Sequence, residues 1–345
     1  MPRRHVEDPI SISMHRLASP RRMFIILGEY HHRWEKKRCP SKLHALSLVE
    51  FFKQLADTLP TVDFFIELPL PLTKKANLYQ TPFWHWIDRT VLHRERYRHG
   101  LTSLAETFGA CVPKYKEDRS KCLLPPTARV HFVDMRQPEN WREDGVEEMN
   151  MFMKNIEMAV VIGIINDRIV YQKACDFVKL CERLFKVRMR LWKTFLSKLK
   201  IQKQLDAIPI PGIKKKLREW ARKKWIQHWQ LIDELRDEFY TQPKVVPGDF
   251  ISSDIVAKMS LHFLSLSAFV VDLYTMGRAL RDFSDGTHAT NVVTYVGNFH
   301  AENYREMLKL LGARTVVRTV VSKDGTACLP IHDIMNKNNF FTKNK

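Results

Sequence analysis

Two apolar runs in this chain of 345 residues end in the same way: a glycine, two further residues, then a histidine. One reads MFIIL-Gly28-Glu29-Tyr30-His31, the other VVTYV-Gly297-Asn298-Phe299-His300. Glycine at a strand's carboxyl end lets the backbone turn sharply and approach a ligand. Ligands of open α/β sheets bind in the crevice outside those ends. Two imidazoles delivered there could hold a metal ion, or one could act as a general base. Two further apolar runs end in charge, at Glu67 (VDFFIEL) and at Arg136 (HFVDMR). A carboxylate and a guanidinium at strand ends are costly to bury unless paired or functional. The structural alternative to a site is a plain Glu67–Arg136 ion pair.

The elements that must position these residues fall into blocks. Residues 1–22 read as an N-terminal arm and 23–144 as the first half of an α/β domain. A basic helical insertion follows over 145–245, then the second half over 246–335, then a flexible tail over 336–345. Stretches 23–27, 62–68, 128–135, 291–296 and 314–321 have the apolar, β-branched character of buried strands. Helical spacing marks 41–59, with Ser41 as its N-cap, and also 253–283 and 301–311, the last closed by Gly312. Strands separated by helices predict an α/β fold: a mostly parallel central sheet covered by helices, carrying the all-helical insertion. Only 12 glycines are present, which argues against an all-β architecture with its frequent tight turns. Within the insertion, Leu180, Leu184, Val187, Leu191, Phe195 and Leu199 recur every three or four residues. Trp220, Trp225 and Trp229 mark a second helix, and at that spacing they read as core before they read as base-stacking groups.

The charge balance is 56 Lys+Arg against 38 Asp+Glu, a net +18. Residues 173–224 hold 17 of the basic residues against four acids. That concentration points to nucleic acid or another polyanion as partner, met by Lys214, Lys215, Lys216, Arg218, Arg222, Lys223 and Lys224. A merely solvated basic face is the plainer reading. The six cysteines contain no C-x-x-C pair, which excludes a zinc ribbon and gives no disulfide framework. With no apolar leader, the chain reads as intracellular, reduced and cytoplasmic, or virion-associated. No uninterrupted apolar run approaches the roughly 20 residues of a membrane span.

The ordered set GEYH, Glu67, VDMR and GNFH resembles the superfamily that unites TraB/PrgY, Tiki, ChaN-like and erythromycin-esterase-type proteins. The stretches VDLYTMGRALRDF and VVTYVGNFHAENYREMLKLLGA are further similar to uncharacterised members from large DNA viruses. The likeness covers the two α/β halves and leaves out the insertion. It implies a hydrolase, peptidase-like or esterase-like, with Glu29, His31, Glu67, Arg136 and His300 carrying the chemistry. His31, His300 and Glu67 would hold a divalent ion (Mn, Co or Zn), whose bound water has its pKa lowered to about 7. Arg136 would stabilise a developing oxyanion. Without metal, a histidine activated by a glutamate would be the base. Gly28, Gly297, Asp272, Tyr274 and Arg278 would support the site from behind. Asn298 stands where an acid would add a hard oxygen ligand. Because the superfamily also contains a haem-binding lipoprotein, the implied alternative is a non-enzymatic, virion-associated or polyanion-binding protein that uses the insertion on a degenerate fold.

Overall fold

The computed structural model describes residues 5–29, 39–40, 45–69, 103–104, 107–112, 122–135, 147–165, 169–242, 250–251, 254–283, 288, 290–321, 328–332 and 334–335. In chain order the first half supplies β1 (His5–Glu7), β2 (Ser11–Leu17), β3 (Arg22–Glu29), α1 (Leu48–Thr58), β4 (Val62–Pro69) and β5 (Ala128–Asp134). The helical block follows as α2 (Glu147–Ile165), the short β6 (Ile169–Val170), α3 (Tyr171–Lys198), α4 (Ile201–Asp206) and α5 (Pro211–Thr241). The chain then runs through β7 (Phe250–Ile251), α6 (Asp254–Leu280), β8 (Asn291–Gly297), α7 (Asn298–Leu310), β9 (Arg314–Val321) and β10 (Cys328–Pro330).

Six strands form the central sheet in the order β5-β4-β8-β3-β2-β9. β3, β4, β5 and β8 are parallel to their neighbours among themselves, whereas β2 is antiparallel to both β3 and β9. The sheet is therefore mixed, not mostly parallel as the alternation of strands and helices predicts. β2 causes the difference. Within the stretch read as an arm, SISMHRL is a strand of the central sheet, and the chain between Leu17 and Arg22 is short enough to make a hairpin. A parallel pair would need a crossover of about a dozen residues or more.

Strand alternation sorts the core onto two faces. Phe24, Ile26, Phe65, Val292 and Val296 meet the helical block and α6. Met23, Ile25, Leu27, Val62, Phe64, Ile66, Val293 and Tyr295 meet Leu48, Phe51, Phe52 and Leu55 of α1. α1 starts later than its spacing predicts, because Ser47 and Glu50 form a reciprocal capping box. Ser41, the expected cap, lies outside the described residues, as does the 336–345 tail.

The helical block shares its core with the sheet. Trp225 and Trp229 are fully buried and Trp220 nearly so, which makes all three core residues and removes them from any base-stacking role. Pro211 opens α5 at its first turn, where a missing N–H is harmless. α6 is long and apolar enough to cross a membrane, yet 61% of its most apolar window is buried inside the protein, against α5, α2 and β5. Gly312 follows α7 at φ +84°, the left-handed closure expected of it.

The cysteines correct the sequence reading. Cys39–Cys328 and Cys111–Cys122 are disulfides, with Cα–Cα distances of 5.1 and 4.7 Å, and Cys175 and Cys181 are free. One pair is 289 residues apart in sequence, so only the fold brings the two thiols together. The expectation of no disulfide framework does not hold for these four cysteines.

Candidate active site

Three elements converge at the carboxyl ends of the parallel strands. β4 delivers Glu67 there, and β8 runs straight into α7 through its N-cap, Gly297. His300 therefore sits in the first turn of α7. Glu67 Oε2 accepts the Gly297 backbone N–H at 2.6 Å, supplying from another strand the carboxylate that a capping box supplies from within a helix. Its Oε1 lies 3.1 Å from His300 Nε2. On the other side, Asp272 of α6 takes His300 Nδ1 at 2.6 Å, and Asn303 Nδ2 donates to the second Asp272 oxygen at 2.7 Å.

All three charged groups are out of water: Asp272 is 0% exposed, His300 4% and Glu67 5%. Burial alone would drive the proton off His300. The carboxylates of Glu67 and Asp272 more than reverse this, raising its pKa from 6.5 to about 10. At neutral pH His300 is an imidazolium that donates from both ring nitrogens. Burial pushes Asp272 upward in turn, opposed by His300 and the Asn303 amide. A cation at a helix N-terminus works against the helix dipole, so the two carboxylates are what keep the charge there.

The remaining candidates separate. Glu29 is buried at the end of β3 but shares a face with Met23, Ile25 and Leu27, opposite to the His300 group. There it accepts the Tyr295 hydroxyl, whose pKa is carried well above the ordinary value by burial and by the Glu29 charge. Gly28 serves packing, since a Cβ on it would meet Ser11 Oγ at 2.5 Å, Asn298 Oδ1 at 2.7 Å and Ala301 Cβ at 3.0 Å. The absence of a side chain lets α7 lie on β3. Arg305 ties α7 to the neighbouring β2, donating to Ser13 Oγ at 2.9 Å and Ser11 Oγ at 3.0 Å.

Arg278 does not support His300. Well round α6 from Asp272, it donates to His131 Nδ1 at 3.3 Å. That contact belongs to a separate network in which Asp63 binds Arg129 at 2.6 and 2.9 Å. Tyr274 is a buried member of the core on the α6 side. His31 and Arg136 lie outside the described residues. Asp272 belongs in the group as a direct partner of His300, closer than the supporting role expected of it. Asn303 was missed by sequence reasoning; its signal is the three-residue spacing from His300, which puts both on one face of α7.

A metal here would have to displace the Nε2 proton of His300 to use that nitrogen beside Glu67 Oε1, and no group of three His, Cys, Asp or Glu suited to an ion occurs among the described residues. On the helical block the basic residues are partly neutralised. Lys214 and Arg218 both pair with Asp206, Lys224 pairs with Glu306 at 2.9 Å, and Lys216 Nζ reaches the Leu310 carbonyl at 3.3 Å. Lys215 is paired with Glu219 only at 3.9 Å.

No protein-family model, curated protein or solved structure matches this chain. The superfamily resemblance thus rests on the short motifs themselves.

Proposed function

We propose that the chain is a hydrolase whose acid–base chemistry runs through Asp272, His300 and Glu67. The observation that carries this reading is a buried imidazole held between carboxylates from two other elements, at the strand ends where open α/β sheets bind their ligands. Buried groups with strongly displaced pKa values concentrate at functional sites. Asp272 fixes the Nδ1–H and the ring orientation. The proton on Nε2 is the one a departing oxygen or nitrogen requires, and Glu67 is the carboxylate that takes a proton from an attacking water. His300 is then the acid of the pair, not the base that the spacing of its motif suggests. His31 and Arg136 keep their expected parts: a second imidazole that could complete a Mn, Co or Zn site with His300 and Glu67, and a guanidinium for an oxyanion or substrate carboxylate.

The test is a panel of activated esters and peptides assayed with wild type, His300→Gln, Asp272→Asn and Glu67→Gln. Loss of an acid–base group lowers turnover by roughly 10²–10⁴-fold. A turnover common to all four folded proteins sinks the reading. Metal content belongs beside it, measured by mass spectrometry on protein made without tag or chelator. An ion lost in a His31→Ala/His300→Ala variant selects the metal-dependent form.

A second reading is favoured by one observation: Lys215, Lys216, Arg222 and Lys223 are all exposed along α5. Lys215 and Arg222, with Lys214 and Arg218, border a groove of about 560 Å³ that continues over Trp192 and Leu196 of α3 and also takes in Asp206 and Glu219. In that reading nucleic acid or another polyanion docks there, with affinity that falls steeply with salt. Arg222→Gln/Lys223→Gln then weakens binding and flattens the salt slope, while His300→Gln leaves both unchanged.

A further inference from the structure

Away from the strand ends, His228 of α5 and His262 of α6 face each other with Nδ1···Nδ1 at 3.2 Å. Their ring centroids are 5.1 Å apart and their planes are inclined by 71°. Two imidazoles on one tetrahedral ion, with metal–nitrogen bonds of about 2.0–2.1 Å, bring their nitrogens to about 3.3 Å and their ring centres to about 5.2 Å. A straight N–H···N bridge of the same nitrogen separation would hold the centres near ~5.5 Å. Both distances match the bite of a shared ion; without one, a bent N–H···N hydrogen bond joins the two rings.

We propose that His228 and His262 form a zinc-class transition-metal site that clips α5 to α6, with water or an exogenous ligand in the remaining positions. Imidazole nitrogens suit zinc, cobalt, nickel and copper over the hard oxygen-seeking cations. The site is built on two long helices, which fixes the approach of the rings better than loops would. Phe269 packs against His228 at a centroid distance of 4.9 Å and limits its ring rotation. Both histidines are partly exposed, so an ion can reach them from solvent. Lys224, one turn earlier on α5, repels a cation, but Glu306 is paired with it at 2.9 Å. No third His, Cys, Asp or Glu completes the group among the described residues.

The experiment is equilibrium dialysis of Zn²⁺ against full-length, tag-free protein, with Co²⁺ absorption as the spectroscopic readout. A His31→Ala/His300→Ala background separates this ion from any held at the strand ends. One equivalent should remain in that background, and both His228→Gln and His262→Gln should weaken it at least tenfold. Zinc should also raise the thermal midpoint of wild type but of neither variant. Because both side chains are partly exposed, the variants should keep the wild-type circular dichroism. Zinc affinity and midpoint shift unchanged by both substitutions, or no zinc bound at millimolar concentration by folded wild type, would overturn the proposal.

Discussion

Alkaline titration probes the His300 group directly, because the proton that joins Asp272 to Glu67 is held far more tightly in the folded chain than in the unfolded one. The folded pKa is raised from 6.5 to about 10. A raised pKa contributes stability that is fully present below 6.5 and is lost as pH rises through 10. Each pH unit in that window removes about 1.4 kcal/mol, so the whole span is worth about 5 kcal/mol. Asp272, also raised by burial, has the same sign, but it begins to withdraw stability just above its unfolded value of 3.8, at the acid end and before the window read here. The assay is urea denaturation at half-unit steps from pH 6 to 10, read as wild type minus His300→Gln so that groups titrating elsewhere cancel. Glu67→Gln removes one of the two carboxylates and should close the window at lower pH. A difference curve that stays flat from 6.5 to 10 would refute the reasoning, since it would mean that His300 carries no extra proton between its carboxylates.

Two further outcomes are expected. Gly28→Ala should destabilise by about 1–3 kcal/mol, the usual range for overpacking, because the added methyl meets Ser11, Asn298 and Ala301 at 3.0 Å or less. Chemical denaturation reads this, and an unchanged midpoint would show that α7 can shift off β3. Thiol titration of unfolded, unreduced protein should count two groups, Cys175 and Cys181. Six reactive thiols would contradict both disulfides.

Much of the sheet was legible because buried strands announce themselves as short apolar runs: all five expected strands are present, and Gly312 closes α7 where it should. What failed was local in cause. SISMHRL mixes serine, histidine and arginine with apolar residues, so it does not read as a strand, yet Ser11 and Ser13 are buried because Arg305 bonds to them from α7. Composition cannot announce a polar strand whose partners lie some 290 residues away. The Cys39–Cys328 disulfide was hidden for the same reason. Within the site, Glu67 followed from a charged residue ending an apolar run, and His300 from a glycine–histidine motif following one. Glu29 belongs to the matching motif and still points to the other face, because strand parity and not motif membership decides the side. Asp272 showed itself only as an acid inside an apolar helix, a position that must have a partner to be tolerated.

That partnership changes what the helical block is for. α6 carries Asp272 to His300, and its apolar faces are covered by α2 and α5. The core runs without a break from Phe65 and Val296 on the sheet, through Phe263 and Val271 on α6, to Phe152 on α2 and Trp225 on α5. Without the block, α6 would expose a continuous apolar surface, and the one group that orients His300 would lose its fixed position. The boundaries near 145 and 245 are therefore boundaries of charge and sequence pattern, not of folding units. A site built on β4 and α7 alone would hold His300 by Glu67 only. The second contact, the one that fixes Nδ1, comes from a helix that the basic block keeps in place. Docking of an anion on the outer face of α5 and chemistry at the strand ends would thus act on two sides of one packed unit, and a ligand at either would be felt through α6 only to the extent that it binds one packing of that helix better than another.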